Sequence, residues 1–432
     1  MSLRRSSAAA ALAALLAVLL CTTATGDGGH HRPIVARVSK DAATSLYTIA
    51  IKAGGARLLL DLAGPLLWLA NCPTPHRTIP CGSGVCKVAN WNHPPNCPST
   101  GTACSKGAAC TTCPYNPVDG HCARDDATTL TLAAHETDGT NPLSAAVSFR
   151  AVGSCAPGAL LVSLPEGAAG VAGLSRLPLS LPSQASYILG LEKQFALCLP
   201  AGSGSDGVAI FGGGPFQLLA APPVELADNL RKNQLPLLRN PRRNNGAYYF
   251  RITGIAVNQQ KVTTPPGAFD LNRRRGTGGV VLSTVTPYTV LRPDIYRPLH
   301  DAFDAATNGI ARAPPVPPFD MCYQASALGS TRMGFGVANI DLMLDLGGAR
   351  NWTLFGGSSL VQVSDQTACF AFVPMVASMP AAADSPAVIL GGFQIQEHLL
   401  MFDLEKSTFG FSGLLSGIRT GCENFNFTMG GM

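Results

Sequence analysis

The sequence predicts a mainly β protein built as two lobes with few short helices, and three observations carry that reading. First, 46 glycines and 33 prolines among 432 residues punctuate the chain too often for long helices. Second, only 13% of residues are charged while 46% are hydrophobic, so the chain has apolar surface to bury and is not disordered. Third, a strand-turn-strand segment recurs in each half, followed at a matched interval by an apolar strand that ends in glycine. The length is about three times that of a ~150-residue domain and suits such a division.

At the N-terminus, Arg4 and Arg5 precede an apolar run from Ala8 to Leu20 and then small residues through Thr22, Thr23 and Ala24. This is the pattern of a secretory signal peptide, assigned to residues 1–24. The run is too short to span a bilayer, and neither a later uninterrupted apolar segment nor a hydrophobic C-terminal tail provides an anchor. A secreted protein without membrane attachment is expected. The formal net charge of +5 falls to about +3 once the leader arginines are removed. That excess is too small for a nucleic-acid binder.

The first lobe is assigned to residues 25–240. Its strands are LYTIAI (46–51), ARLLLDLA (56–63), LTL (130–132) and AAVSF (145–149), separated by Gly, Pro, Asn and Asp turns. Eight of the 14 cysteines fall between 72 and 122: Cys72, Cys81, Cys86, Cys97, Cys104, Cys110, Cys113 and Cys122. In an oxidising compartment they read as a disulfide-rich insertion. Cys155, Cys198, Cys322, Cys369 and Cys422 are dispersed, and Cys21 leaves with the leader. The remaining number is odd, so one thiol stays unpaired or pairs between molecules. The crowded CTTC of 110–113 is where it is sought, with Cys113 the unpaired candidate and the other twelve the disulfide candidates. A redox or zinc reading of CTTC lacks the flanking pattern or second ligand pair it requires.

The polar connector RKNQLPLLRNPRRNNG (231–246) interrupts the apolar pattern and separates the lobes. The second lobe, residues 241–432, opens with AYYFRITGIAV (247–257). The spacing predicts a helix over 292–309, with Ile295, Leu299, Ala302, Phe303 and Ala306 on the buried face and Asn308 and Gly309 as its stop. Asn351 in NWT and Asn426 in NFT match the N-glycosylation pattern. Arg239, Arg242 and Arg243, with Arg273, Arg274 and Arg275, are either a basic patch for acidic polysaccharides, solvated loops, or sites of proteolytic nicking. No two histidines have metal-ligand spacing, and neither metal nor cofactor is expected.

The repeat is the strongest signal. LLLDLAGPLLWL (58–69) precedes AAGVAGLSRLPLSLPSQAS (168–186), and GGVVLSTVTPYTVL (278–291) precedes AVILGGFQIQEHLLMFDLEKSTFGFS (387–412). Asp61 lies 112 residues before Gly173, and Ser283 lies 108 before Gly391. These residues resemble the pepsin-like aspartic peptidases over about 46–412, in which each lobe supplies one Asp-Thr/Ser-Gly loop. The resemblance implies the bilobal pepsin-like fold. It also implies a catalytic dyad at positions 61 and 283, where two adjacent carboxylates would share one proton to activate water. Here the first loop keeps Asp61 but has Leu62 and Ala63 after it. The second has Ser283 for the acid and Val285 for the glycine, with Thr284 retained between them. A serine hydroxyl is too weakly acidic to serve as that general base, so no peptidase activity is expected and both positions are vestigial. No nucleophile-elbow pattern surrounds Ser283.

Within that fold the sequence resembles the plant xylanase-inhibitor (TAXI-type) group. The matching stretches are KDAATSLYTIAI (40–51), LDLAGPLLW (60–68), PYNPVDGHC (114–122), LPEGAAGVAGLS (164–175), GVAIFGGGP (207–215), GGVVLSTVTPYTVLRPDIYRPLHDAF (278–303) and PAVILGGFQ (386–394). The resemblance implies a monomer secreted to the cell wall or apoplast, without proteolytic activity, that inhibits a microbial endo-xylanase or related glycosidase by inserting a loop into its cleft. The corresponding segment is GLLSGIRTGC (413–422). Ile418 stands near the position where relatives place a histidine, and Arg419, one residue along, is a cation suited to paired carboxylates. Leu414 and Leu415 complete the candidate partner-binding set. Tyr115 is a candidate flap tyrosine. Two other readings stay open: a wall-associated binding or storage glycoprotein, and an active aspartic endopeptidase.

Overall fold

The computed structural model describes residues 31–428, except 53, 92–96, 98–103, 105–108, 221–223, 233, 345–350 and 377–384. The leader assigned to 1–24 lies outside the described residues. The mainly β, bilobal architecture expected from the sequence is what the chain adopts.

Each lobe is organised around the same crossed-strand unit. In the first, Arg57–Asp61 runs parallel to Ala168–Gly173, pairing Asp61 with Gly173. Leu67–Ala70 then lies antiparallel to Ala168–Gly173 and parallel to Pro142–Ala156. In the second, Val280–Leu282 runs parallel to Val388–Leu390, pairing Leu282 with Leu390. Thr289–Leu291 lies antiparallel to Val388–Leu390 and parallel to Phe372–Pro374. The two spacings noted in the sequence are therefore the two parallel pairings. All three residues of Val280–Leu282 are buried, as are four of the five in Arg57–Asp61, which explains their unbroken apolar runs.

A shared antiparallel sheet joins the lobes. Its order is Ile34–Lys40, Asp206–Phe211, Gln194–Cys198, Leu399–Asp403, Thr408–Phe411 and Leu235–Pro236. Gln194–Cys198 of the first lobe thus pairs directly with Leu399–Asp403 of the second, and no clean cut at 240/241 separates the lobes. The connector 231–246 is correspondingly not a bare linker. Leu235 and Leu237 alternate inward and are buried, so its first half forms the sheet edge while the arginines beyond stay exposed. Beneath this sheet Phe402 stacks on Phe195 at 4.6 Å and meets Tyr248 at 4.5 Å, and Trp352 stacks on Phe411 at 4.2 Å. The Tyr248 hydroxyl donates to Leu174 O at 2.6 Å and ties the second lobe to the first. Each such buried ring contributes about 1.5–3 kcal/mol.

The expected helix is Pro293–Ala306, with Ile295, Tyr296, Leu299 and Phe303 buried. Ala306 departs from expectation and is exposed, because the helix ends there; the next buried residue is Thr307, whose hydroxyl bonds Phe303 O and Tyr323. No helix among the described residues is long and apolar enough to cross a membrane.

Six disulfides staple the chain: Cys72–Cys155, Cys81–Cys104, Cys86–Cys110, Cys97–Cys122, Cys198–Cys422 and Cys322–Cys369. The 72–122 stretch is not a closed unit, since Cys72 reaches out to Cys155 beside the parallel strands. Cys110 pairs with Cys86, which removes the redox reading of CTTC, and Cys113 is the free cysteine among the described residues.

Candidate functional site

The two loops that follow the parallel strands meet between the lobes. Thr284 Oγ1 accepts from Leu62 N at 3.1 Å and donates to Leu60 O at 2.6 Å. Asp61 is 2% exposed, and its Oδ1 accepts from Ala63 N at 2.8 Å. Burial raises its carboxyl to about 6, against the backbone hydrogen bonds from Ala63 and Gly64 that lower it. Gly64 is required for this closeness: a Cβ there would lie 2.7 Å from Gly173 Cα and 3.0 Å from Asp61 Oδ2. On the other side, Ser283 N donates to Leu390 O at 3.0 Å. Ser283 Oγ donates to Thr286 Oγ1 at 3.0 Å and accepts from Thr286 N at 3.2 Å. Serine therefore closes its own turn and presents no acid toward Asp61.

Beside Asp61 lies a cavity of about 20 Å³, lined by Asp61, Gly64, Trp68, Cys113, Pro114 and Tyr115 among others. That is room for about one water molecule. Tyr115 does lie here: Trp68 Nε1 donates to its carbonyl at 3.0 Å, and burial, then the nearby Asp61 charge, push its phenol up. The Val285 side chain, in place of the expected glycine, packs against a first-lobe cluster containing Leu46, Trp68 and Leu160. Burial pushes the Cys113 thiol up, so it is protonated and weakly nucleophilic.

The second candidate surface is the segment before Cys422. A single 3₁₀ turn, Leu415–Ile418, ends on Arg419 in the left-handed conformation, φ +60°. Ile418 is 47% exposed and Arg419 is exposed, whereas Leu414 is half-buried. Leu415 corrects the sequence reading. It is fully buried in a cluster with Cys198 and Cys422, because its side chain anchors the turn, and it offers no exposed surface. The anchor is reinforced by Glu397: its carbonyl accepts from Leu415 N at 2.9 Å, and its carboxylate accepts from Cys422 N at 3.0 Å and Ala201 N at 2.9 Å.

Two neighbours of this turn escaped the sequence reading. Gly417 approaches Met333, whose Sδ would lie 3.3 Å from a Cβ at 417, so the Ser330–Phe335 hairpin with its exposed Arg332 sits alongside. On another side Thr420 Oγ1 donates to the carbonyl of exposed Leu219 at 2.9 Å. Neither has a local sequence signature; only spatial adjacency identifies them. As for the sequons, Asn351 is exposed at the start of edge strand Asn351–Leu354. The Asn426 amide is engaged with Asn141 at 2.5 Å. Among the described residues no group of three potential metal ligands occurs.

Crossed parallel strands in both lobes, a shared antiparallel sheet and two loops meeting through a threonine hydroxyl define a pepsin-like aspartic-peptidase fold. At the end of the second lobe's parallel strand, where the first lobe has Asp61, the chain carries Ser283. Family models of the xylanase inhibitor N-terminal and C-terminal domains match residues 47–213 and 247–413, and the chain belongs to this plant xylanase-inhibitor family. It is 46% identical to Chitinase CLP of Oryza sativa subsp. japonica, over 92% of each chain. Among solved structures, edgp is similar with a TM-score of 0.82 and 30% identity, covering 93% of this chain and all of that one. Basic 7S globulin from soybean is similar with a TM-score of 0.73 and 26% identity, covering 92% and 98%. The disulfides and these relatives mark an extracellular plant protein.

Proposed function

We propose that this protein is a non-proteolytic inhibitor of microbial cell-wall-degrading glycosidases, an endo-xylanase in the first instance, acting in the plant wall or apoplast as a monomer. The observation that carries the reading is the exposed Arg419. It stands at the end of a turn held by the buried Leu415, the Cys198–Cys422 disulfide and Glu397, so little ordering remains for binding. A glycosidase cleft contains two carboxyl groups, at least one ionised, and an arginine fork entering it gains bidentate, partly desolvated hydrogen bonds. Ile418 supplies apolar contact beside it, Leu414 is half-buried at the rim, and Arg332 on the neighbouring hairpin adds a second cation.

The lack of peptidase activity follows from Asp61 standing without a second acid. The test of inhibition is a binding titration of wild type, Arg419→Ala and the remote control Arg274→Ala against a panel of secreted microbial xylanases and related glycosidases. Removing one partner of a buried charge pair costs roughly 2–5 kcal/mol, so Arg419→Ala is expected to weaken binding at least about thirtyfold, through faster dissociation. Equal affinity of the two rejects the arginine. Failure of wild type to bind any glycosidase favours a wall-associated binding or storage glycoprotein.

A second reading comes from the rice relative's name, chitinase. Asp61, a buried acid with its carboxyl raised to about 6, is the group on which that reading is tested, and the cavity beside it holds about one water. Hydrolysis of chitin oligosaccharides that Asp61→Asn abolishes would establish this reading.

A further inference from the structure

Two arginine runs about thirty residues apart in sequence form one surface in the fold. Arg242 Nε donates to Arg275 O at 2.8 Å, and Asn240 Nδ2 donates to Gly276 O at 2.8 Å. Asn240 is buried, and Gly276, φ +74°, comes so close that a Cβ would lie 2.3 Å from Asn240 Oδ1. The second loop is shaped by Asn272, whose Oδ1 accepts from Arg274 N and Arg275 N at 2.9 Å each and whose carbonyl accepts from Gly276 N at 2.8 Å. The backbone and amide groups of both loops are thus spent on holding the loops together.

Apart from Arg242, the guanidinium groups are not. Arg239, Arg243, Arg273, Arg274 and Arg275 are exposed, and among the described residues none forms a salt bridge. Asp270, the acid within the second loop, forms a salt bridge with none of them. Behind the patch Arg176 donates to Leu238 O at 2.9 Å and Ser407 Oγ at 3.2 Å. Its own basicity is lowered by burial first, and also by the charge of Arg239. Five uncompensated like charges on rigidly joined loops repel one another and stabilise nothing within the fold.

We propose that this surface binds a linear polyuronate, a polysaccharide bearing one carboxylate per sugar. Every cation in the two runs is arginine, and the planar guanidinium matches a carboxylate bidentately where lysine offers only a point charge. The aromatic residues of these loops, Tyr248 and Tyr249, are buried, so no ring is offered for stacking nucleic-acid bases. No large apolar side chain of the loops is exposed for insertion into a lipid surface. The proposal is independent of glycosidase inhibition, since the patch and the 413–422 turn are different surfaces.

The experiment measures binding of the full chain to sodium polygalacturonate as a function of salt. Wild type is compared with Arg273→Gln/Arg274→Gln/Arg275→Gln and with Arg239→Gln/Arg243→Gln. Fully methyl-esterified polygalacturonate and a DNA duplex are the competing probes. Each variant is expected to lose at least tenfold in affinity, the salt dependence is expected to flatten by about one unit per arginine removed, and the methyl ester is expected not to bind. Unchanged affinity in both variants, equal binding of the methyl ester, or tighter binding of DNA would overturn the proposal. Because the changes lie on exposed side chains, thermal melting is expected to match wild type, and having two separate variants guards against one failing to fold.

Discussion

The hydroxyl of Thr284 is bonded on both sides to the opposite loop, accepting from Leu62 N and donating to Leu60 O. A threonine at position 62 would have a hydroxyl with which to reciprocate; leucine has none. The meeting of the loops is therefore one-sided, and a single buried side chain holds two backbone groups of the other lobe. The two loops keep this mechanical tie with Ser283, not an acid, at the end of the second parallel strand.

Thr284→Val removes both bonds and leaves Leu62 N and Leu60 O buried without partners. At about 1–3 kcal/mol for each unsatisfied group, a loss of roughly 2–6 kcal/mol is expected. Guanidinium denaturation with disulfides intact checks it; a change under about 0.5 kcal/mol would show that the loops are held elsewhere.

Peptide cleavage is expected to be undetectable between pH 2 and 8 in the wild type, and also in Ser283→Asp. That mutant regains a second acid, but Leu62 and Ala63 still replace the residues expected after Asp61, and Val285 still packs into the first lobe. Turnover of a fluorogenic peptide, with and without pepstatin, is the measurement. Pepstatin-sensitive cleavage by Ser283→Asp would mean that the loops are already oriented for catalysis.

Stability carries two opposed pH dependences. Asp61, raised from 3.8 to about 6, binds its proton more tightly in the folded state, so its contribution is present at low pH and is lost as pH rises from about 4 to about 6. His398 is buried between Trp352 and the Gln396 carbonyl and lowered from 6.5 to about 4, chiefly by burial; its contribution is present above 6.5 and is lost as pH falls toward 4. Each amounts to about 3 kcal/mol as an order of magnitude. In the wild type the two slopes oppose each other between pH 4 and 6.5, with Glu397, also raised by burial, adding to that of Asp61. Asp61→Asn should expose the histidine slope, with stability falling on acidification, and should be more stable than wild type at pH 7. Chemical denaturation of both proteins across that range decides it.

Glu397→Ala is expected to loosen the 413–422 turn without unfolding the core, since it removes the carboxylate that accepts from Cys422 N and Ala201 N. Reduction of Cys198–Cys422 by dithiothreitol should accelerate at least tenfold, followed by thiol labelling and mass spectrometry. Glu397→Gln, which keeps an acceptor oxygen, should fall between the two. Equal rates in all three proteins would assign the anchoring to Leu415 alone.

What the sequence determined by itself was whatever rests on local chemistry and periodicity. Apolar runs located the parallel strands, and the helix at Pro293–Ala306 showed its buried face, because hydrophobic period follows backbone geometry directly. Asp61 and Ser283 were identifiable because a two-acid site is defined by residue type within a short loop. Tertiary structure alone decided the rest. The pairing of Cys72 with Cys155 and of Cys198 with Cys422 has no local signature, since many connectivities share one list of cysteines. Leu415 and Ile418 have similar chemistry in one short segment, yet the turn buries the first and exposes the second. Met333 reaches the turn at Gly417, and the arginines of 239–243 reach those of 273–275, because strands distant in the chain pair in a particular register. That register is set by long-range packing of the whole sheet, which no window of sequence contains.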